Sequence, residues 1–192
     1  MKKMSNKSLS NLMLLSNFIC TLFYSLSYPY IYAETIRAVS QPYIAFEQII
    51  SCLGIIMFGT LWNKYGNYLF KHYRKIVLIE IIADTYLFID VIIRNDLKFY
   101  FILNVLIYAV ITKNMSCGGI KMRAKINPND NMREKYDNNA NTISSLATLI
   151  GSAVAIVLKP DINVLFVFAL VGNVTDNFFY LYIYDKIIKE EK

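Results

Sequence analysis

The sequence predicts an all-α membrane protein, one domain of six transmembrane helices over residues 1–192. Three observations carry this. The chain is 56% hydrophobic and only 18% charged, with a mean hydropathy of +0.38; soluble domains hold roughly 45–50% apolar and about 25% charged residues. Its apolar residues gather in runs long enough for a bilayer core of about 30 Å. The charges gather between those runs. The same composition excludes a disordered chain.

The first span is predicted over about 10–33. Lys2, Lys3 and Lys7 precede an apolar run from Leu12 to Tyr32, 21 residues long. A signal peptide's apolar region is roughly 7–15 residues, and Ile19 is not the small residue that cleavage before Cys20 would need. The run therefore reads as a retained span with a basic cytoplasmic flank. Further apolar runs predict spans over about 41–62, 75–94, 97–113, 140–158 and 162–184. The stretch 114–139 holds Gly118-Gly119 and Asn127-Pro128-Asn129-Asp130-Asn131, and it predicts a polar cytoplasmic loop with turn chemistry.

Charge gives the orientation. With the N-terminus inside, sixteen Lys and Arg fall in cytoplasmic segments and only Arg37, Arg94, Lys98 and Lys159 fall outside. That asymmetry predicts an even number of spans, both termini cytoplasmic, in the cell membrane. It also explains the net charge of +6 and the pI near 9.1. Basic residues spread over four segments mark topology, whereas a nucleic-acid surface needs them on one folded face. No nucleic-acid partner is expected; the lipid bilayer is.

The 15 Tyr and 12 Phe crowd span ends and read as interfacial belts. Cys20, Cys52 and Cys117 have no Cys-x-x-Cys spacing, and His72 is the one histidine. That pattern predicts no disulfide framework, metal site or cofactor. A membrane enzyme would pair Cys117 with His72 from neighbouring loops. Nothing beside either residue activates it, so the chain is not expected to be an enzyme.

Between the second and third spans stand Gly59-Thr60-Leu61-Trp62-Asn63-Lys64-Tyr65-Gly66 and then Arg74-Lys75. This resembles the signature loop of the major facilitator superfamily, G-x-L-a-D-r-x-G-r-k. Gly59, Leu61, Lys64 and Gly66 match; Asn63 stands where the family has aspartate, and the basic pair comes late. Gly59 is expected to let its helix approach a neighbour, and Gly66 to permit a left-handed turn. After the fourth span come Pro128 and Arg133, then a helix with Ala147, Gly151 and Ala155 at spacing four. That spacing puts the small residues on one close-packing face, which is similar to the family's fifth helix. The resemblance covers the whole chain as one six-helix half of a twelve-helix fold. It implies a homodimer or a second six-helix half as partner. It also implies a cavity lined by spans one and four, which offer Asn17, Tyr28, Asn104 and Tyr108, with spans three and six peripheral.

The acids inside spans are Glu47, Glu80, Asp84, Asp90 and Asp176, while all 20 Lys and Arg flank the spans. Asp84 lies near the midplane. Glu80 is one turn, about 6 Å, nearer the inside. Ionised carboxylates at that depth are costly, and these two share a helix face. One of them is expected to hold a proton near neutral pH, as proton coupling requires. The competing expectation is that both are polar glue, hydrogen-bonded to Tyr86 or Asn104. Asn173, Asp176 and Asn177 form a second polar face on the last span, suited to a partner half. The reading that follows is a half-size permease for an unknown small solute, with Glu80 and Asp84 as proton-coupling candidates. The alternative is a non-transporting accessory or immunity protein that binds a membrane partner.

Overall fold

The computed structural model describes residues 5–39 and 41–190, without the side chains of Gln41, Lys189 and Glu190. Lys2, Lys3 and Lys192 of the cytoplasmic basic set lie outside the described residues. The elements are α1 (Asn6–Ala38), α2 (Gln41–Lys71), α3 (Tyr73–Arg94), α4 (Leu97–Ile107), a π-helical turn (Tyr108–Thr112), α5 (Lys113–Ile126), α6 (Asp130–Leu158) and α7 (Ile162–Glu190). Because α4, the π turn and α5 run on without a break, the chain forms six rods.

Five stretches are long and apolar enough to cross a membrane: Asn6–Ala38, Pro42–Lys71, Leu97–Ile126, Asp130–Leu158 and Ile162–Ile188. The rod α3 has comparable length, but Glu80, Asp84 and Asp90 interrupt its apolar sequence. Ile56, Ile82, Leu149 and Val157 are each more than 60% exposed on the outside of the bundle, as lipid contact would require.

Residues 114–139 are not a loop. They are helical except at Asn127–Asn129. Gly118 and Gly119, expected to turn the chain, instead make room for rings. A Cβ on Gly118 would lie 2.1 Å from the Tyr73 ring, and one on Gly119 would lie 3.0 Å from Tyr180. The true corner is held by Arg133. It donates from Nε to the Asn127 carbonyl at 3.0 Å and from Nη2 to the Pro128 carbonyl at 2.9 Å.

The second signature-loop expectation also changes. Gly59 to Gly66 lie within α2, whose one irregular residue is Tyr65 (φ −119°, ψ 15°). No described glycine has positive φ, so Gly66 makes no left-handed turn. A Cβ on Gly59 would meet nothing within 4 Å; the close approach belongs to Gly54, whose Cβ would lie 2.2 Å from the Ala109 carbonyl oxygen. The chain reverses at His72 instead. Elsewhere, two-residue chemistry suffices. Asn95 ends α3 in the left-handed region, and the Asp96 carboxylate caps α4 by accepting from the Lys98 and Phe99 amides.

Packing centres on α1, which lies between α6 and α7 and touches α4 and α5 more lightly. The α3 rod packs on α7 and on the α4–α5 rod, and α2 packs on α5 and the π turn. Ala147, Gly151 and Ala155 are buried on α6, and a Cβ on Gly151 would lie 2.6 Å from the Leu22 carbonyl oxygen of α1. Hydrogen bonds flank this seam, from Asn17 to Ser144 at 2.8 Å and from Ser25 to Thr148 at 3.2 Å.

Two apolar clusters fill the interior. One joins Leu9, Trp62, Phe70, Tyr73, Met122 and Tyr184; the other joins Leu26, Leu87, Phe88, Tyr100, Ala155 and Phe166. Between the two clusters α1, α3 and α7 bury polar side chains, Ser16, then Glu80 and Asp84, then Asn177, with half-buried Asp176 beside it.

Candidate functional site: a polar cavity between two apolar cores

The polar layer opens onto a cavity of about 580 Å³ to which all six rods contribute. Asn17 and Tyr28 reach it from α1, and Asn104 and Tyr108 from α4 and the π turn. Glu80 and Asp84 reach it from α3, and Asn173, Asp176 and Asn177 from α7. The α3 and α7 rods are therefore part of the wall, not merely peripheral. Glu80 and Asp84 are one turn apart, so both carboxyls leave α3 on its inward face. Glu47 of α2 completes the acids on the wall, and Arg123 is the one cation there among the described residues.

The wall groups differ in how they are engaged. The Ser16 hydroxyl donates to Asp176 across the α1–α7 contact. Asn17 donates its amide to Ser144 and to the Ala140 carbonyl, so it faces the cavity while tied to α6. The Tyr108 hydroxyl accepts from Lys113 at 2.9 Å. Arg123 reaches Asp137 of α6 at 3.5 Å. Glu80 meets the Thr112 side chain, but its second oxygen, Oε2, has no hydrogen-bond partner among the described residues, and neither has Asn177 Oδ1. Both residues are nearly sealed from outside, at 3% and 2% exposure. An unpartnered buried oxygen costs about 1–3 kcal/mol, so neither oxygen contributes to holding the fold together. Among the described residues Glu80, Asp84 and Asp176 enter no ion pair. Asp90, by contrast, pairs with Arg94 at 2.9 Å away from the cavity. Tyr86 is 54% exposed and absent from the wall, so it is not the partner expected for Asp84.

The signature-loop residues lie elsewhere. Leu61, Asn63 and Lys64 are exposed on α2, and Lys64 stands 5.2 Å from the Tyr65 ring. Arg74 pairs with Asp185 of α7 at 3.5 Å, while Lys75 is exposed. Among the described residues no group of three or more His, Cys, Asp and Glu is arranged to hold a metal ion.

Three contributors carry weaker sequence signals. Thr112 meets Glu80 from the end of the π turn, and π turns recur at functional sites. Trp62 donates to Asn114 at 2.8 Å, joining α2 to α5. Cys20, which reads as a packing residue, lies on the wall within electrostatic reach of Asp176, Asp84 and Glu80. Comparison of the chain with protein-family models, curated proteins and solved structures found no match.

Proposed function

We propose that the chain is a half-size permease of the major facilitator type. It crosses the membrane six times with both termini cytoplasmic, pairs with a second six-helix half, and moves a small solute in exchange with or alongside protons. The observation that carries this reading is the cavity. A mid-bundle layer of carboxyls and amides between two apolar cores is costly in a bilayer and is ordinarily kept for ion or solute pathways.

The packing supports the same reading. Exchange each rod for the third one after it: α1 with α4–α5, α2 with α6, α3 with α7. The contact of α1 with α6 becomes that of α4–α5 with α2, and the contact of α1 with α7 becomes that of α4–α5 with α3. The α3–α7 contact maps onto itself. In a bundle that crosses the bilayer at every rod, such partners run in opposite directions. An inverted three-plus-three arrangement, which underlies halves of this kind, would produce such a pattern.

In this mechanism Asp84 and Glu80 exchange a proton with the cavity. Their charge state then sets whether the wall is neutral or anionic. The test is flux in proteoliposomes under an imposed pH gradient. The wild type is expected to take up or release solute as the gradient is applied, and Asp84→Asn is expected to abolish the gradient's effect. Absence of any gradient-driven flux in the wild type, alone or co-reconstituted with its cross-linked membrane partner, would sink the proposal. It would favour an accessory protein instead.

A further inference from the structure

We infer that the cavity is a binding site for an organic cation carrying N–H donors, an alkylammonium or aralkylammonium compound. This deepens the permease reading, on which it rests only for what happens after the ligand binds.

The argument begins with hydrogen-bond polarity. Among the described residues the two buried groups left without partners, Glu80 Oε2 and Asn177 Oδ1, belong to side chains that line the cavity. A carboxylate and an amide oxygen are acceptors, so the ligand they await is a donor. Charge narrows it further. Glu47, Glu80, Asp84 and Asp176 share the wall with one cation, Arg123, which already faces Asp137. A cationic ligand supplies the missing countercharge, whereas an anion would meet repulsion from these carboxylates. Shape narrows it again. Tyr28 and Tyr100 line the same space, Tyr28 being stacked on Tyr24 at 4.5 Å, and aromatic faces attract organic cations. A cavity of about 580 Å³ sits within the roughly 300–1,000 Å³ of small-molecule sites. An inorganic ion would leave most of it unfilled.

Cys20 supplies the readout, because it lines the same cavity as Asp176, Asp84 and Glu80. With Cys52→Ser and Cys117→Ser in place, it is the remaining thiol. The experiment measures how fast methyl methanethiosulfonate modifies it in full-length protein in nanodiscs. Phenethylammonium is expected to slow modification saturably, by about fivefold or more. Phenethyl alcohol and phenylpropionate, of similar size, are expected to leave the rate unchanged. Glu80→Gln and Asp84→Asn should each raise the half-protecting concentration about tenfold, the weight of one charge-assisted contact. Asp90→Asn, off the wall and paired with Arg94, should not.

Equal protection by the alcohol or the anion overturns the inference, as does protection that survives both carboxyl substitutions. If a carboxyl variant fails to fold, the three-ligand series on the parent still decides. Flux separates the two readings. Protection by the cation without its transport leaves the site standing and removes the permease. Transport of an uncharged solute without protection by the cation does the reverse.

Discussion

The two sides of α1 are built on opposite principles. Toward α6, backbone meets side chain with nothing between: Gly151 leaves no room for a Cβ, with the Leu22 carbonyl 2.6 Å from where it would stand. Toward α4 and α5 the contact is sparse, and the space is given to the cavity. The bundle thus has a close-packed group of α6, α1 and α7 and a second group in which α2 packs on α5 and the π turn, with α3 in contact with both.

The contrast can be broken most directly at Gly151. Gly151→Ala pushes a methyl into backbone that cannot swing aside, and overpacking of this kind costs about 1–3 kcal/mol. We expect the upper end, about 3 kcal/mol, read as a lowered unfolding midpoint in detergent. Trp62→Phe attacks the other group. It removes the hydrogen bond from α2 to Asn114 of α5, and the expected loss is about 1 kcal/mol, read in the same assay. The smallest effect sharpens the contrast. Gly59 has open space around its missing Cβ, so Gly59→Ala should be neutral or stabilise by up to about 1 kcal/mol through helix propensity alone. A loss of stability there comparable to that of Gly151→Ala would show that α2 has a close neighbour on its outer face.

Hydropathy located the rods but not their ends. The expected loop over 114–139 is mostly helix because charged residues such as Lys121 and Arg123 end an apolar run without ending a hydrogen-bonded ladder. A bilayer core is crossed by about 20 residues, while α2 has 31. Polarity therefore marks where lipid stops, and the helix continues past it. The glycines show a second limit. Gly54 and Gly59 stand five residues apart on α2, on different faces at 3.6 residues per turn, and nothing in their neighbours tells which face meets another helix. The acids were more legible. An ionisable residue inside an apolar run is conspicuous wherever the run is found, and the i, i+4 spacing of Glu80 and Asp84 puts both on one face. Thr112, the partner of Glu80, was not legible, because it stands at the end of a π turn that no local residue signals.

That widened turn has a consequence for the chain's length. Between Tyr108 and Thr112 the backbone accommodates one residue more than an α-helix of the same reach requires, while α4 and α5 keep a common course. The surplus is shared between two surfaces: the turn carries Tyr108 and Thr112 on the cavity wall, and its Ala109 carbonyl stands against Gly54 of α2. Deleting exposed Val110 would let the ladder close as ordinary α-helix. The downstream residues would keep their facing, with Gly118 still under Tyr73, and the change in phase would fall on the cavity wall and on the α2 contact at Gly54. Single-residue gain or loss at this point therefore reshapes the wall and the α2 seam while the rod beyond keeps its register.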